Sequence, residues 1–591
     1  MTSKSKRGAP KGCNDIGPGK AVTTRGRSKH DPMSEDRPDL AAQAAEEVLG
    51  PNPFIGLSPA DILRTLGEIG SAALRTPAQA ATHEVALART LFSILIGEAE
   101  IAPLKGDRRF TDQAWTNNRF YRMSMQAYLA WSNAIDGFIG GIGLDNAAQQ
   151  RARFVASLLT DAVAPTNTLI GNPAALKNVI DSGGKSLVDG VRHLLNDLTS
   201  NRGMPAQVDQ SAFDVGRNLA LSPGAVVWRD EVLELIQYAP ATQTVHVRPQ
   251  LIVPPQINKY YVFDLAPGKS IVEFLVNSGF QTFVVSWRNP TAAHRDWNMD
   301  TYVASLLGAI DAIRDITGCQ DVNLHGACSG AMTVAALLGH LAAKRRKPVR
   351  AVSLMVAVLD TEADSLLGVF ATPETIAAAK ISSQIKGVLD GNEMGRVFSW
   401  MRPNDLVWNY WVNNYLMGNP PPAFDVLYWN NDTTRLPAAF HGQLLDIFAG
   451  KLLHKPGGLD VLGTPVDLSG VDCDKFVLAG VTDHITPWKG VFRTARLFGG
   501  DTEFVLSSSG HVQSLVNPPG NPKARYFLGG DPSGSPEAWL STAREVQGSW
   551  WDLWREWIAA RSGEMRPAPE CLGNNRHPPR ATAPGTYVRE P

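Results

Sequence analysis

Residues 321–343, DVNLHGACSGAMTVAALLGHLAA, constrain the fold more than any other stretch. DVNLHG reads as a short buried strand and SGAMTVAALLGHLAA as the helix that follows it. Between them Cys328 stands in G-A-C-S-G, with Gly326 and Gly330 on either side. A strand that bends sharply into a helix through small residues lifts its central side chain clear of a sheet, the geometry of a nucleophile elbow. Here the lifted group is a thiol where an esterase carries a serine. The helix N-terminus behind it lowers a thiol's pKa from a free value of roughly 8.5. A lone cysteine is ordinarily a small buried hydrophobe, but the strand–turn–helix context argues against that for Cys328. Cys319, in ITGCQD, lacks the context and is assigned no role.

The flanking sequence supplies the sheet that such an elbow needs. Residues 244–255 and 280–287 are rich in β-branched and aromatic residues and read as strands. A helix at 302–316, the elbow strand and its helix, a strand at 349–360, a strand at 475–483, a helix at 488–499 and a strand at 503–510 follow in alternation. Strand–helix alternation means a mostly parallel sheet covered by helices. The break between 362 and about 440 is rich in Trp, Tyr, Asn and Pro and is expected to sit as a cap over the C-terminal edge of the sheet. Residues 36–205 place apolar residues at helical spacing. The expected organisation is a basic tail at 1–35, a mainly helical N-terminal domain at 36–205, an α/β-hydrolase catalytic domain at 206–565 with the cap inside it, and a loosely ordered Pro-rich tail at 566–591.

An elbow of this kind takes its partners in the order nucleophile, acid, histidine. Asp483 ends the strand KFVLAGVTD and His511 ends the next one, both at strand C-termini where such sheets bind ligands. Asp483 also fits a helix N-cap, and His511 a structural loop histidine. His484 is second choice for the base, being next in sequence to Asp483, while His325, inside the elbow strand, is read as packing or supporting. Ser329 would offer one oxyanion N–H, and Gln256 or Ile257, after an earlier strand, the second.

Other signals carry less. The first thirty residues hold eight Lys and Arg without an apolar core, so they read as a basic tail and not a signal peptide. Five scattered cysteines without C-x-x-C spacing argue against a disulfide framework or a zinc site and for a reducing, cytoplasmic compartment. A net charge of −1 does not suggest nucleic acid, and the apolar run at 351–359 is too short to span a bilayer. GGKS at 183–186 and PGKS at 267–270 lack the leading glycine of a P-loop, having Val179 and Phe263 there. Trp550, Trp554 and Trp557 share one helix face, read as core.

The thiol itself is informative. A cysteine holds an acyl group as a thioester, so taking it from another thioester is close to thermoneutral and passing it to a hydroxyl is downhill. A serine would trap it as an ester at the first step. This favours acyl transfer from a thioester carrier to an alcohol over hydrolysis.

At NPFIGL (52–57), DRRFTDQAW (107–115), INKYYVFDL (257–265), VVSWRNP (284–290), GACSG (326–330), NDLVWNYW (404–411), LAGVTDHITPW (478–488) and GHVQSLVNPPG (510–520), the chain resembles the polyhydroxyalkanoate synthases. GACSG, DHITPW and GHVQSLVNPPG look like the class II branch, which prefers medium-chain acyl groups. The resemblance implies an (R)-3-hydroxyacyl-CoA substrate, a polyester product with CoA released, and no metal or redox cofactor. It maps the catalytic cysteine, aspartate and histidine onto Cys328, Asp483 and His511. It also implies a homodimer at cytoplasmic polyester granules, with Trp429 of the cap near the dimer contact. Ala331 departs from the usual G-x-C-x-G-G pattern, as does the long basic N-terminus. A cysteine-dependent acyl-CoA thioesterase and a non-catalytic granule-coating protein are the competing readings; loss of a triad member would mark the latter, and none is lost.

Overall fold

The computed structural model describes residue 55 and residues 59–104, 107–360 and 370–591. The basic tail at 1–35 lies outside the described residues. An eleven-stranded sheet forms the centre. Its strands are β1 Gly224–Arg229, β2 Leu233–Tyr238, β3 Gln250–Val253, β4 Thr282–Trp287, β5 Val322–Ala327, β6 Val349–Met355, β7 Asp474–Gly480, β8 Thr502–Ser507, β9 Arg525–Leu528, β10 Arg544–Gln547 and β11 Ala581–Thr582. They lie in the order β10-β9-β8-β7-β6-β5-β3-β4-β2-β1-β11. The run from β4 to β8 is parallel. Antiparallel strands flank it on both sides. The sheet is therefore more mixed than the alternation alone predicts.

Side chains on successive strand positions go to opposite faces, and two cores result. Leu251, Phe283, Val285, Val352 and Val477 pack against helices Met299–Thr317 and Ser329–Ala343 on one face. Ile252, Val284, Phe476, Leu478 and Val505 pack against helices Ile271–Asn277 and Trp550–Ala559 on the other. Trp550, Trp551 and Trp554 are almost wholly enclosed there, so the tryptophan helix is core.

Residues 244–255, expected as one strand, are two: Thr244–His246 and β3. Pro249 lies at the break; it has no N–H for a ladder and restricts Arg248 before it. The expected loose tail is a correction. Glu234 is fully buried, and the tail satisfies its carboxylate with N–H groups of Thr586 and Tyr587 at 2.8 and 2.9 Å and the Thr586 hydroxyl at 2.8 Å. A buried carboxylate is costly unless bonded, so it holds the segment down while β11 extends the sheet.

Helices Pro59–Arg75, Pro77–Ile96, Arg119–Gly141, Asn146–Ala162, Pro173–Asp181 and Lys185–Ser200 dominate the N-terminal region. This region grips the cap. Gly190 lies where any Cβ would come within 2.0 Å of Tyr415 O, and Asp197 accepts from the Tyr415 hydroxyl at 2.7 Å. The gripped cap segments, Asn404–Trp408 and Trp411–Leu416, are wound as π-helix.

His325 shows what the sheet interior demands. Trp554 Nε1 donates to Ser353 Oγ at 2.9 Å, Ser353 Oγ is 3.0 Å from His325 Nδ1, and His325 Nε2 is 3.0 Å from Gln250 Oε1. Burial pushes its pKa from 6.5 down to about 3. Between those pH values the unfolded chain binds a proton that the folded chain does not. Stability is therefore expected to fall as pH drops from 6.5 towards 3, by about 1.4 kcal/mol per pH unit from this group. Urea midpoints of His325→Gln should show a correspondingly shallower acid slope; an unchanged slope would mean that His325 is protonated in the fold.

Candidate active site

Cys328 sits between β5 and helix Ser329–Ala343 with φ 50° and ψ −125°. A non-glycine residue at positive φ is strained, by about 1–3 kcal/mol, and the surroundings hold it there. Cys328 N–H donates to Met355 O at 3.0 Å, and Ala331 N–H donates to Cys328 O at 3.0 Å. The flanking glycines are required by close approach. A Cβ on Gly330 would lie 2.4 Å from Pro254 O and 2.6 Å from Val253 O; one on Gly326 would lie 2.7 Å from the Ala331 Cα. Ala331 itself is fully enclosed, so its methyl is accommodated. Gly330→Ala is expected to cost about 3 kcal/mol in urea unfolding and to abolish turnover. Ala331→Gly should cost about 1 kcal/mol, the helix propensity difference.

Asp483 follows the end of β7, fully buried. Its Oδ1 accepts from Ile485 N at 2.9 Å and Thr486 N at 2.8 Å; its Oδ2 accepts from Thr486 Oγ1 at 2.6 Å and pairs with His511 Nδ1 at 2.7 Å. Burial alone would raise its pKa, but His511 and Thr486 outweigh that and hold it below the ordinary carboxylate value. His511 opens the helix His511–Leu515 after β8. Burial opposes its charge, yet the Asp483 carboxylate and a hydrogen bond with the Cys328 thiol push its pKa up to about 10. With Nδ1 turned to Asp483, Nε2 is the nitrogen that serves the thiol. The sequence-predicted Cys328, Asp483 and His511 thus form one continuous row.

The oxyanion donors separate on a single contact. Gln256 N–H donates to Ser329 Oγ at 3.1 Å, so it is committed. The N–H groups of Ile257 and Ser329 have no acceptor among the described residues. Ile257 and Ser329 line one small apolar pocket with Cys328, whose other walls include Phe398 of the cap, Phe448 of helix Ala438–Gly450, Met332 and Ile485. Two free N–H groups beside a thiol in an apolar pocket can hold a developing oxyanion.

A family model described as the N-terminus of poly-beta-hydroxybutyrate polymerase matches residues 106–275, and one described as the alpha/beta hydrolase fold matches residues 252–518. The chain is 51% identical over 557 residues to poly(3-hydroxyalkanoate) polymerase 1 of Ectopseudomonas oleovorans, covering 94% of this chain and 100% of that protein. It is 40% identical over 500 residues to the poly(3-hydroxyalkanoate) polymerase subunit PhaC of Cupriavidus necator, covering 83% and 85%. The chain belongs to the poly(3-hydroxyalkanoate) polymerase family. It is an acyltransferase-type enzyme built on the α/β-hydrolase fold with a helical N-terminal region.

Within this polymerase architecture the remaining expected residues fall as follows. His484, the second choice for the base, has no partner for its Nδ1. Burial pushes its pKa down to about 4, so it stays neutral near pH 7. Trp429 is 5% exposed, and its indole N–H donates to Lys259 O at 2.7 Å, so in this single chain the ring faces inward. Cys319, Cys328 and Cys473 are free thiols. No helix among the described residues is long and apolar enough to cross a membrane. Sequence reasoning missed Thr486 and the aromatic lining of the pocket. Thr486 was legible in principle, because Asp followed three residues later by Thr is a local side-chain-to-backbone capping pattern. Phe398 and Phe448 were not, since only tertiary packing brings them to the thiol pocket.

Proposed function

We propose that the chain polymerises (R)-3-hydroxyacyl-CoA, with medium-chain acyl groups preferred, through a covalent thioester on Cys328. The observation that carries this reading is the thiol–imidazole–carboxylate row opening into an apolar pocket. His511 Nε2 takes the Cys328 proton, and the sulfur attacks the thioester carbonyl carbon. The N–H groups of Ser329 and Ile257 hold the oxyanion. The carbon–sulfur bond to CoA breaks, and the CoA thiolate leaves with the proton from His511. The 3-hydroxyl of another unit then attacks an acyl thioester, its proton passing to the base and the carbon–sulfur bond giving way to an ester. Water is the competing nucleophile, and the apolar lining of the pocket disfavours it. That supports transfer to an alcohol over hydrolysis, and retention of all three triad residues supports an enzyme over an inert coat. The reading includes a homodimer at the surface of its polyester; a dimer contact through Trp429 requires the cap to turn that ring outward.

The experiment is purified protein with 3-hydroxyacyl-CoA substrates of graded length, following CoA release and insoluble product. Polymer from the eight-carbon substrate in preference to the four-carbon one is expected. Soluble hydroxy acid without polymer would make the chain a thioesterase, and polymer only from the four-carbon substrate would remove the medium-chain assignment.

A further inference from the structure

We infer that the cleft between the N-terminal helical region and the cap, which holds Arg202 and Arg396, binds the phosphate groups of a phosphorylated ligand. Coenzyme A is the source that the reaction proposed above supplies. The coenzyme assignment rests on that reading; the phosphate chemistry does not.

Three segments wall the cleft: residues 200–207, one side of helix Gly391–Met401, and residues 430–433. Its only charged lining residues are the two arginines; no Asp or Glu lines it. The chain has 57 acidic residues against 56 Lys and Arg, so acids to neutralise them are not scarce. Nearby arginines have theirs: Arg402 pairs with Asp405, and Arg109 with Asp107 and Asp161. Arg202 and Arg396 have no ion-pair or hydrogen-bond partner among the described residues. The nearest acids in sequence are spent elsewhere, Asp197 on the Tyr415 hydroxyl and the Ala206 N–H, and Glu393 on Lys386; Asp432, beside the cleft wall, pairs with Lys259. Two guanidinium groups facing one concavity repel unless an anion joins them, and their planar donor forks suit phosphate oxygens.

Arg202 is exposed, but the backbone turn that carries it is pinned. Arg202 holds a positive φ of 52°. The turn carrying it is pinned by Asn201 Nδ2 to Met204 O at 2.7 Å and by Gly203 N–H to Asp197 O at 2.9 Å. Strain of this kind persists where the surroundings over-determine it, and such positions cluster at ligand clamps. Gln207 and Ser399 are buried in the wall, with Gln207 Nε2 donating to Leu406 O at 2.7 Å.

The cleft is also coupled to the thiol pocket. Helix Gly391–Met401 puts Phe398 into the wall of the Cys328 pocket and Asn392, Arg396 and Ser399 into the wall of the cleft. Thr433, also in the cleft wall, bridges to Asn258, next to Ile257 of the oxyanion pair. An acyl-CoA has this polarity: a reactive thioester at one end of a flexible arm, and a diphosphate and a 3′-phosphate at the other.

The test uses the full chain and the variants Arg202→Gln, Arg396→Gln and both together. Arg75→Gln, on the exposed end of helix Pro59–Arg75, controls for lost net charge. Calorimetric titration with adenosine 3′,5′-bisphosphate should show binding weakened about tenfold by each cleft variant, the scale of a lost charged hydrogen bond, and unmoved by the control. In parallel, kcat/KM is compared for 3-hydroxyoctanoyl-CoA and the phosphate-free 3-hydroxyoctanoyl-pantetheine. A ratio that falls about tenfold in the cleft variants supports coenzyme phosphates as the occupant. Weakened bisphosphate binding with an unchanged ratio keeps the phosphate site and overturns the coenzyme source. Bisphosphate that does not bind, or binds all proteins alike, overturns the site. The titration needs no turnover, so a chain that releases no CoA would sink the proposed reaction without touching this result.

Discussion

Cys328→Ala is expected to lower CoA release by about 10⁴-fold or more, to the level of the uncatalysed reaction, while Cys319→Ala keeps most of it. In the proposed reaction the Cys328 sulfur is the only protein atom that bonds to the acyl carbon, so its loss is not partial. Cys328 has the left-handed elbow, a hydrogen bond to His511 and the two unoccupied N–H groups beside it. Cys319 has none of these; its sulfur lies 3.9 Å from Asp321 Oδ1 in a loop beyond helix Met299–Thr317. The two variants differ by one sulfur atom each, so steady-state assay of free CoA separates position from composition. Equal activity in both would remove Cys328 from the mechanism. Cys328→Ser is the finer probe. A serine ester lies below a thioester in energy, so the first acyl group stays on the enzyme, and polymer yield should drop by more than the first CoA release does.

Asp483→Asn is expected to suppress the first, single-turnover release of CoA by roughly 10³- to 10⁴-fold, not only the later elongation. Asp483 has two assignable duties: orienting His511, or activating the hydroxyl of the incoming unit. Its oxygens already meet four donors, from Ile485, Thr486 twice and His511, which leaves little capacity for a substrate hydroxyl. An asparagine amide would offer N–H to His511 Nδ1 and favour the tautomer with its proton on Nε2, which cannot deprotonate the thiol. Rapid-quench measurement of the first CoA equivalent distinguishes the duties. A normal burst followed by stalled elongation would assign Asp483 to the hydroxyl instead.

The elbow and the Cys328–Asp483–His511 row were legible because each depends on short-range pattern. G-x-C-x-G between an apolar run and a helix carries the steric demand in five residues, and the acid and histidine follow strands whose apolar character is local. Ile257 and Gln256 could not be told apart in sequence, because the choice turns on a hydrogen bond between residue 256 and residue 329. The C-terminal tail looked loose because Pro-rich composition hides a distant buried carboxylate, Glu234, that needs its N–H groups. The antiparallel flanks of the sheet were underestimated for a like reason: β9 to β11 are four residues long or fewer, too short to show an alternation, and their pairing with other strands makes them strands.

From the linear chain alone one obtains a cysteine on a sharp bend above a mostly parallel sheet, with an aspartate and a histidine downstream in working order, since local sterics and strand periodicity are written in neighbouring residues. Folding in three dimensions added which amides beside the thiol stay free, the aromatic side chains that line its pocket, and two arginines of one cleft without an ion-pair partner among the described residues. Each of these depends on groups tens to hundreds of residues apart meeting within a few ångströms, and no local pattern encodes such a meeting.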